Sequence, residues 1–490
     1  MENRKHGNAP TKPDEIYPVH FIDQASIIRS SLISYTFRYD QGLDAVKLCD
    51  SLMILLESKE WRKLGGRLRT NKDGKLEIHV PIHFSPNRPP LRFSHVELGV
   101  RMDAHSLASR LPKKTGKRPS LHEGCRAFRE FSIPATLPNN IEHYLSTDEP
   151  LICLHITTFT DGTLVSLTFP HSLSDAMGTS ALVKAWARVL QSEGHGSLEI
   201  HPVGAKHDII APFGTPDDKI ARDTEFSLER QQTKYLSLLL FAARVAWDNL
   251  TRRNIETRHI YLPSNFISHL RMQASQDRTT EFISDGDLIA AWGSRMVLSS
   301  APSRGSAVIY NIFDIRGRLN LHKSPTAVFL QNLILPSTTI LTVDEAASLS
   351  VSQLAHRVRK AIVEQTSVAQ VRSLIRITRS WFTRLSGMPL FARWDTKRVI
   401  AITNWTKARL LEQADFAPAV DTAQTVDDEK SLKPIGFWGT TLSVSDNPRD
   451  TFVVYGKDHD GNYWVHGYLR TETWHLIQEE FNTFVSASSK

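Results

Sequence analysis

Cysteine is scarce in this chain of 490 residues: there are three, Cys49, Cys125 and Cys153. The odd count and the lack of any Cys-x-x-Cys exclude a disulfide framework and a cysteine-built zinc site. They fit a reducing compartment, so the expected location is cytoplasmic. Long hydrophobic runs are missing as well. The longest, residues 235–243, stops at Arg244, whereas a membrane span needs about 20 apolar residues. No membrane span is expected. Residues 1–17 are polar and carry no apolar core of the kind a signal peptide has. With 24 Gly and 24 Pro, the chain is neither collagen-like nor of low complexity. Charge of one sign is modest: 59 basic against 52 acidic residues leave +7. That balance suits an anionic small molecule and does not announce nucleic acid. None of the histidine spacings suggests a metal, and no repeat of solenoid period is found.

What is present is an ordinary globular composition, 41% hydrophobic and 23% charged. Residues 19–39 alternate loosely, as in a strand. Leu43, Val46, Cys49, Leu52, Met53 and Leu56 then mark one face of a helix running to about Lys59. Leu64-Gly65-Gly66-Arg67-Leu68 reads as a tight turn. Asp73-Gly74 and Asp161-Gly162 each read as the turn of a hairpin. Residues 110–119 form a basic loop with Lys113, Lys114, Lys117 and Arg118. Residues 235–250 are expected as a buried helix, with docking on a membrane surface as the alternative; residues 285–297 and 351–368 are expected as further helices, and residues 440–445 among the late strands. Strands and helices mix in both halves without doubly wound alternation, which predicts a mixed α/β (α+β) fold. The expected divisions are an N-terminal domain over 1–200, a surface connection over 201–232 and a C-terminal domain over 233–490.

The informative segment is Phe169-Pro170-His171-Ser172-Leu173-Ser174-Asp175-Ala176. A buried strand delivers His171 to its end, Pro170 stops the ladder, and Ser174 or Asp175 can cap the next helix. A rigidly held imidazole, mostly neutral near pH 7, suits a general base. The alternative is a half-buried histidine bonded to its neighbours, followed by an Asp cap. With 20 histidines in the chain, the pattern alone leaves both open.

This segment resembles the His-x-x-x-Asp-Gly signature of the BAHD acyltransferases. Further stretches resemble the same family in order. They are Leu64–Leu68, Ala185-Trp186-Ala187, Phe282-Ile283-Ser284 with Asp287 to Trp292, Asp314-Ile315-Arg316-Gly317-Arg318, Asn332, Thr403-Asn404-Trp405 and Asp415-Phe416. The likeness covers roughly residues 18–485 and looks most like the fungal branch that acylates specialised metabolites. Two departures stand out. Ala176 replaces glycine after Asp175, and Asp415-Phe416-Ala417-Pro418-Ala419 lacks both glycines and the tryptophan of the second signature.

The resemblance implies two chloramphenicol-acetyltransferase-like domains with a channel between them. It implies a monomer, with an acyl-CoA (most simply acetyl-CoA) as donor, a small-molecule alcohol as acceptor and no permanently bound cofactor. His171 would be the base and Asp175 an orienting residue, while Asn404 and Trp405 would contact substrate as candidate donors to the oxyanion, with a packing role the favoured alternative for Trp405. Asp415 would pair structurally with Arg316. The CoA phosphates would meet either the 110–119 loop or Arg316 and Arg318. A condensation-type or non-catalytic relative binding an acyl thioester is the alternative. Pro170 stands where condensation domains usually carry a second histidine.

Overall fold

The computed structural model describes residues 13–193, 199–251, 254–276, 282–300, 305–321, 324–385, 387–420, 431–442 and 448–488. The two large sheets are built in chain order from β1 (Leu32–Tyr39), β2 (Leu91–Glu97), β3 (Ser120–Glu123), β4 (Ile152–Phe159), β5 (Gly162–Pro170), β6 (Ile255–Leu262), β7 (Ser306–Asp314), β8 (Ile334–Thr342), β9 (Thr396–Asn404), β10 (Gly436–Thr441), β11 (Thr451–Lys457) and β12 (Tyr463–Arg470). The helices that matter below are α1 (Ala45–Glu57), α2 (Ala176–Gln191), α3 (Tyr235–Thr251), α4 (Asp285–Ser299), α5 (Val351–Gln365) and α6 (Val368–Leu385).

The fold is mixed α/β. One sheet has five strands in the order β10-β1-β5-β4-β2; the other has seven, β8-β7-β9-β11-β12-β6-β3. Each sheet therefore borrows an edge strand from the other end of the chain. β10 pairs antiparallel with β1, and β3 pairs antiparallel with β6. The expected division near residue 200 is crossed twice, in opposite directions. Residues 199–232 are not a bare surface connection either. His201–Pro202 pairs with Ala327–Val328, and Ile210 and Phe226 are buried in a third core cluster with α6.

Local chemistry explains the elements around the site. β5 is buried along its whole length because β1 and β4 flank it on both sides. The hairpin β4–β5 turns at Asp161, and Gly162 is required there: a Cβ would lie 2.4 Å from the Tyr39 carbonyl. The strand expected from residue 19 begins only at Leu32, after two short helical turns at Ile22–Gln24 and Ser26–Arg29. α1 starts at Asp44, whose carboxylate accepts from the amides of Val46 and Lys47. The helix expected over 351–368 is α5, which ends three residues early at Gln365. The Ser367 hydroxyl accepts from the Gln370 amide and starts α6 afresh.

α3 departs from expectation. Instead of being buried, it presents Tyr235, Leu236, Leu239, Leu240 and Leu250 to solvent. Its inner side is tied down through Asp248, which bonds Arg449 and Arg470. The expected end of α2 at residues 194–196, and the tail of the expected strand at 443–445, lie outside the described residues.

Candidate active site

His171 follows the last residue of β5, in a short 3-10 turn that leads into α2. Its backbone is pinned on both sides: its amide donates to the Ser31 carbonyl at 2.8 Å, and its carbonyl accepts from Asn332 Nδ2 at 2.8 Å. The imidazole Nδ1 lies 3.1 Å from the Ser174 carbonyl. A carbonyl only accepts, so Nδ1 carries the proton and the neutral ring keeps its lone pair on Nε2. The tautomer needed by a base is thus set by the turn itself.

Asp175 is almost fully buried and does not act through the ring. It caps α2 by accepting from the Gly178 amide at 2.9 Å. It also grips Arg316 through two parallel bonds, 3.0 Å (Nη1–Oδ2) and 2.9 Å (Nη2–Oδ1), and accepts from the Leu333 amide at 3.0 Å. Arg316 also bonds Asp314 at 2.6 Å and the carbonyls of Phe329 and Gln331. Burial opposes the charge on Arg316, but Asp175 and Asp314 outweigh it and hold its pKa above the ordinary value. The expected pair Asp415–Arg316 is therefore not formed. Asp415 instead accepts from Ser431 Oγ at 2.7 Å and from the Leu432 amide at 2.8 Å. Its neighbour Phe416 packs on Trp186, with ring centroids 4.4 Å apart, and on Tyr39. The altered second signature is a packing segment, and its Asp secures a local turn.

A cavity of about 2100 Å³ lies between the two sheets, lined from both. His171, Asp175, Ala176 and Tyr35 face it from one side, and Asp314, Arg318, Asn404 and Trp405 from the other. Ordinary small-ligand sites occupy ~300–1,000 Å³, so the space accommodates two molecules at once. The Trp405 ring packs against Tyr35 and Tyr455 at 5.5 Å each. Its indole N–H is already given to Thr403 Oγ1 at 3.1 Å, which makes it wall rather than oxyanion donor. Asn404 Oδ1 accepts from the Thr406 amide at 2.9 Å, which directs its Nδ2 to the other side of the amide group. Ser284 and Asp287, also in the lining, form a capping box that starts α4, and Arg359 pairs with Asp287.

Several cations line the cavity. Arg449 and Arg470 are taken by Asp248, and Arg398 and Arg470 lie 3.6 Å from Asp450. Arg244, Arg318, Lys397 and Lys407 also line it, and among the described residues none of these four has a carboxylate partner. The 110–119 loop does not reach the cavity; Lys114 is held by Asp460 and lies 3.6 Å from Asp458. Arg316 is withdrawn behind the wall, so only Arg318 of that pair is available.

Sequence reasoning missed the supports of His171. Asn332 is fixed by Asp23, whose Oδ1 accepts from both its amide and its Nδ2 at 2.8 and 2.7 Å. Burial raises the Asp23 pKa to about 7, against Asn332 and Lys63, which lower it. The signal available was a single acid, Asp23, between Glu15 and Asp40.

Comparison with known proteins agrees with this geometry. The sequence model described as "Transferase family" matches residues 132–417. The chain is 52% identical to acetyltransferase BOT5 of Botryotinia fuckeliana, over 97% of this chain and 92% of that one. It is 34% identical to O-acetyltransferase PaAT-2 of Phomopsis amygdali, over 95% and 97%. The fold is similar to that of F. sporotrichioides TRI101, solved with coenzyme A and T-2, with a TM-score of 0.65 at 15% identity over 96% of this chain and 98% of that one. The chain belongs to the Transferase family, the BAHD class of coenzyme-A-dependent acyltransferases, and is an acyltransferase.

Proposed function

We propose that the chain transfers an acetyl group from acetyl-CoA to a hydroxyl of an apolar specialised metabolite, with His171 as general base. The names of its relatives support acetyl as the group transferred and an oxygen as its acceptor. The observation that carries the reading is the placement of His171, with its proton assigned to Nδ1, on the wall of a cavity large enough for donor and acceptor together.

The acceptor hydroxyl approaches Nε2. The base removes its proton as the oxygen attacks the thioester carbonyl. A tetrahedral intermediate forms, its oxyanion within reach of the Asn404 side of the cavity. The intermediate collapses with loss of the CoA thiolate, and the imidazolium returns the proton to sulfur. Atoms balance without a covalent enzyme intermediate or a further co-reactant. The positioned base supplies ~10²–10⁴ in rate, and holding the two substrates side by side supplies more. Arg244, Arg318, Lys397 and Lys407 supply charge for the CoA phosphates. Asp175, with Arg316, fixes the turn that carries the base and makes no proton transfer. The chain works as a monomer in the cytoplasm.

The test is thiol release from acetyl-CoA with a panel of terpenoid and polyketide alcohols, wild type against His171→Ala. The variant is expected to lose at least ~10²-fold in rate with unchanged circular dichroism. Equal thiol release by the two proteins refutes the assignment of the base.

A further inference from the structure

The chain carries a second cluster of reactive side chains that acyl transfer does not use. Cys125 directly follows β3 and its Gly124. His259 stands on β6 and His466 on β12, opposite each other in the strand register. Three neighbouring strands therefore bring one thiol and two imidazoles to a common point. All three residues are at most 1% exposed. The Cys125 sulfur lies 3.5 Å from His466 Nε2 and 3.9 Å from its Nδ1, and the two imidazole centroids are 4.8 Å apart. One donor atom from each residue falls within 4.8 Å of the others.

A second observation points to a ligand. His259 Nε2 is buried and has no hydrogen-bond partner. An orphaned ring nitrogen in the interior costs about 1–3 kcal/mol unless something meets it. Burial also keeps both imidazoles neutral, which is the form that coordinates metals.

We infer that Cys125, His259 and His466 form a buried copper(I) site that fastens β3, the strand lent by the N-terminal half, to β6 and β12. The spacing fits. Metal–nitrogen and metal–sulfur bonds of ~2.0–2.3 Å at trigonal angles place neighbouring ligand atoms ~3.5–4.0 Å apart; Cys125 and His466 already stand at 3.5 Å, and the ligand atoms, all within 4.8 Å of one another, draw in to that range on binding. The donor set fits copper: one thiolate and two imidazoles, with a backbone oxygen at longer range, is a copper-selective arrangement. The Gly439 carbonyl, 3.7 Å from the sulfur, is the backbone oxygen offered for that longer contact.

Charge selects the oxidation state. Among the described residues no carboxylate joins the cluster. One thiolate neutralises a monovalent ion, while a divalent ion would leave an uncompensated charge in the interior. On binding, the thiol proton leaves to solvent and the sulfur takes the metal. Because the ligands are sealed from water, the ion enters as the sheets close during folding.

The experiment uses the full chain, expressed in copper-supplemented medium with zinc also present, and desalted without chelator. Elemental analysis of wild type is expected to give about one copper per chain. Absorption at the copper edge is expected to give one sulfur and two nitrogen ligands at ~2.0–2.3 Å. Cys125→Ala should retain at least about tenfold less copper with unchanged circular dichroism. The wild-type ligand count decides the matter if that variant does not fold. Retention of zinc instead of copper, no retained metal, or copper with an oxygen-rich shell lacking sulfur each overturns the site.

Discussion

Removing the charge from Asp175 should destabilise the whole molecule before it affects the chemistry. In Asp175→Asn the side chain still caps α2, because asparagine accepts from the Gly178 amide as aspartate does. What is lost is the charge and both bonds to Oδ2, from Arg316 Nη1 and the Leu333 amide, which then face an Nδ2 donor; the buried Arg316 keeps its Nη2 bond to Oδ1 and has Asp314, itself 29% exposed, as its remaining carboxylate. Removing one partner of a buried pair costs ~3–5 kcal/mol, and the remaining Asp314 places this case near the lower end. Arg316→Met leaves the Asp175 carboxylate with two backbone amides, Gly178 and Leu333, and no cation. It should cost a similar amount. The double variant is the decisive one. Either single change already breaks the pair, so the two costs should overlap by ~1–3 kcal/mol rather than add. Urea unfolding followed by circular dichroism measures this. Thiol release under single-turnover conditions should fall by ~10²-fold in each single variant, since an error of about 1 Å in placing the base is enough. Strict additivity in the double variant, or an Asp175→Asn protein within ~1 kcal/mol of wild type, refutes the account.

Other expectations follow from the same contacts. Gly178→Ala places a Cβ 2.6 Å from the Leu330 carbonyl and 2.2 Å from Ser174 Oγ; it should destabilise by ~1–3 kcal/mol in urea and slow acyl transfer through the displaced turn. Asp23 binds its proton more tightly folded than unfolded, so its contribution to stability is full below its ordinary pKa of 3.8 and is lost as pH rises towards about 7. Asp23→Asn should remove that part of the slope in a series of thermal midpoints between those pH values, while wild type keeps it. Replacing Arg318 and Lys407 together by Ala should raise the KM for acetyl-CoA several-fold at low salt, leave kcat nearly unchanged, and flatten the salt dependence of kcat/KM.

The parts legible in the sequence were those governed by neighbours in the chain. The hairpin at Asp161-Gly162, the burial of β5 and the arrival of His171 at its end follow from local pattern and turn chemistry. The ordered motifs led to the family. The partner of Arg316 was not legible, because Asp175 and Asp415 are both acidic and both far from it in sequence, and only tertiary structure chooses between them. The 110–119 loop looked right by charge, yet Asp458 and Asp460 claim Lys114. α3 looked buried by composition alone, but among the described residues its outer apolar side chains, Tyr235, Leu236, Leu239, Leu240 and Leu250, stand exposed. The exchange of β3 and β10 left no signal, since a short strand reads the same whichever sheet receives it.

That exchange limits how the enzyme can breathe. A cleft between two independent lobes can swing on a hinge, but here each lobe is laced to the other by a strand in its own ladder. Swinging them apart would tear main-chain bonds at both seams at once. Molecules reaching His171 must do so without the lobes parting, and the two halves cannot be cut apart and expressed separately without leaving a raw sheet edge on each.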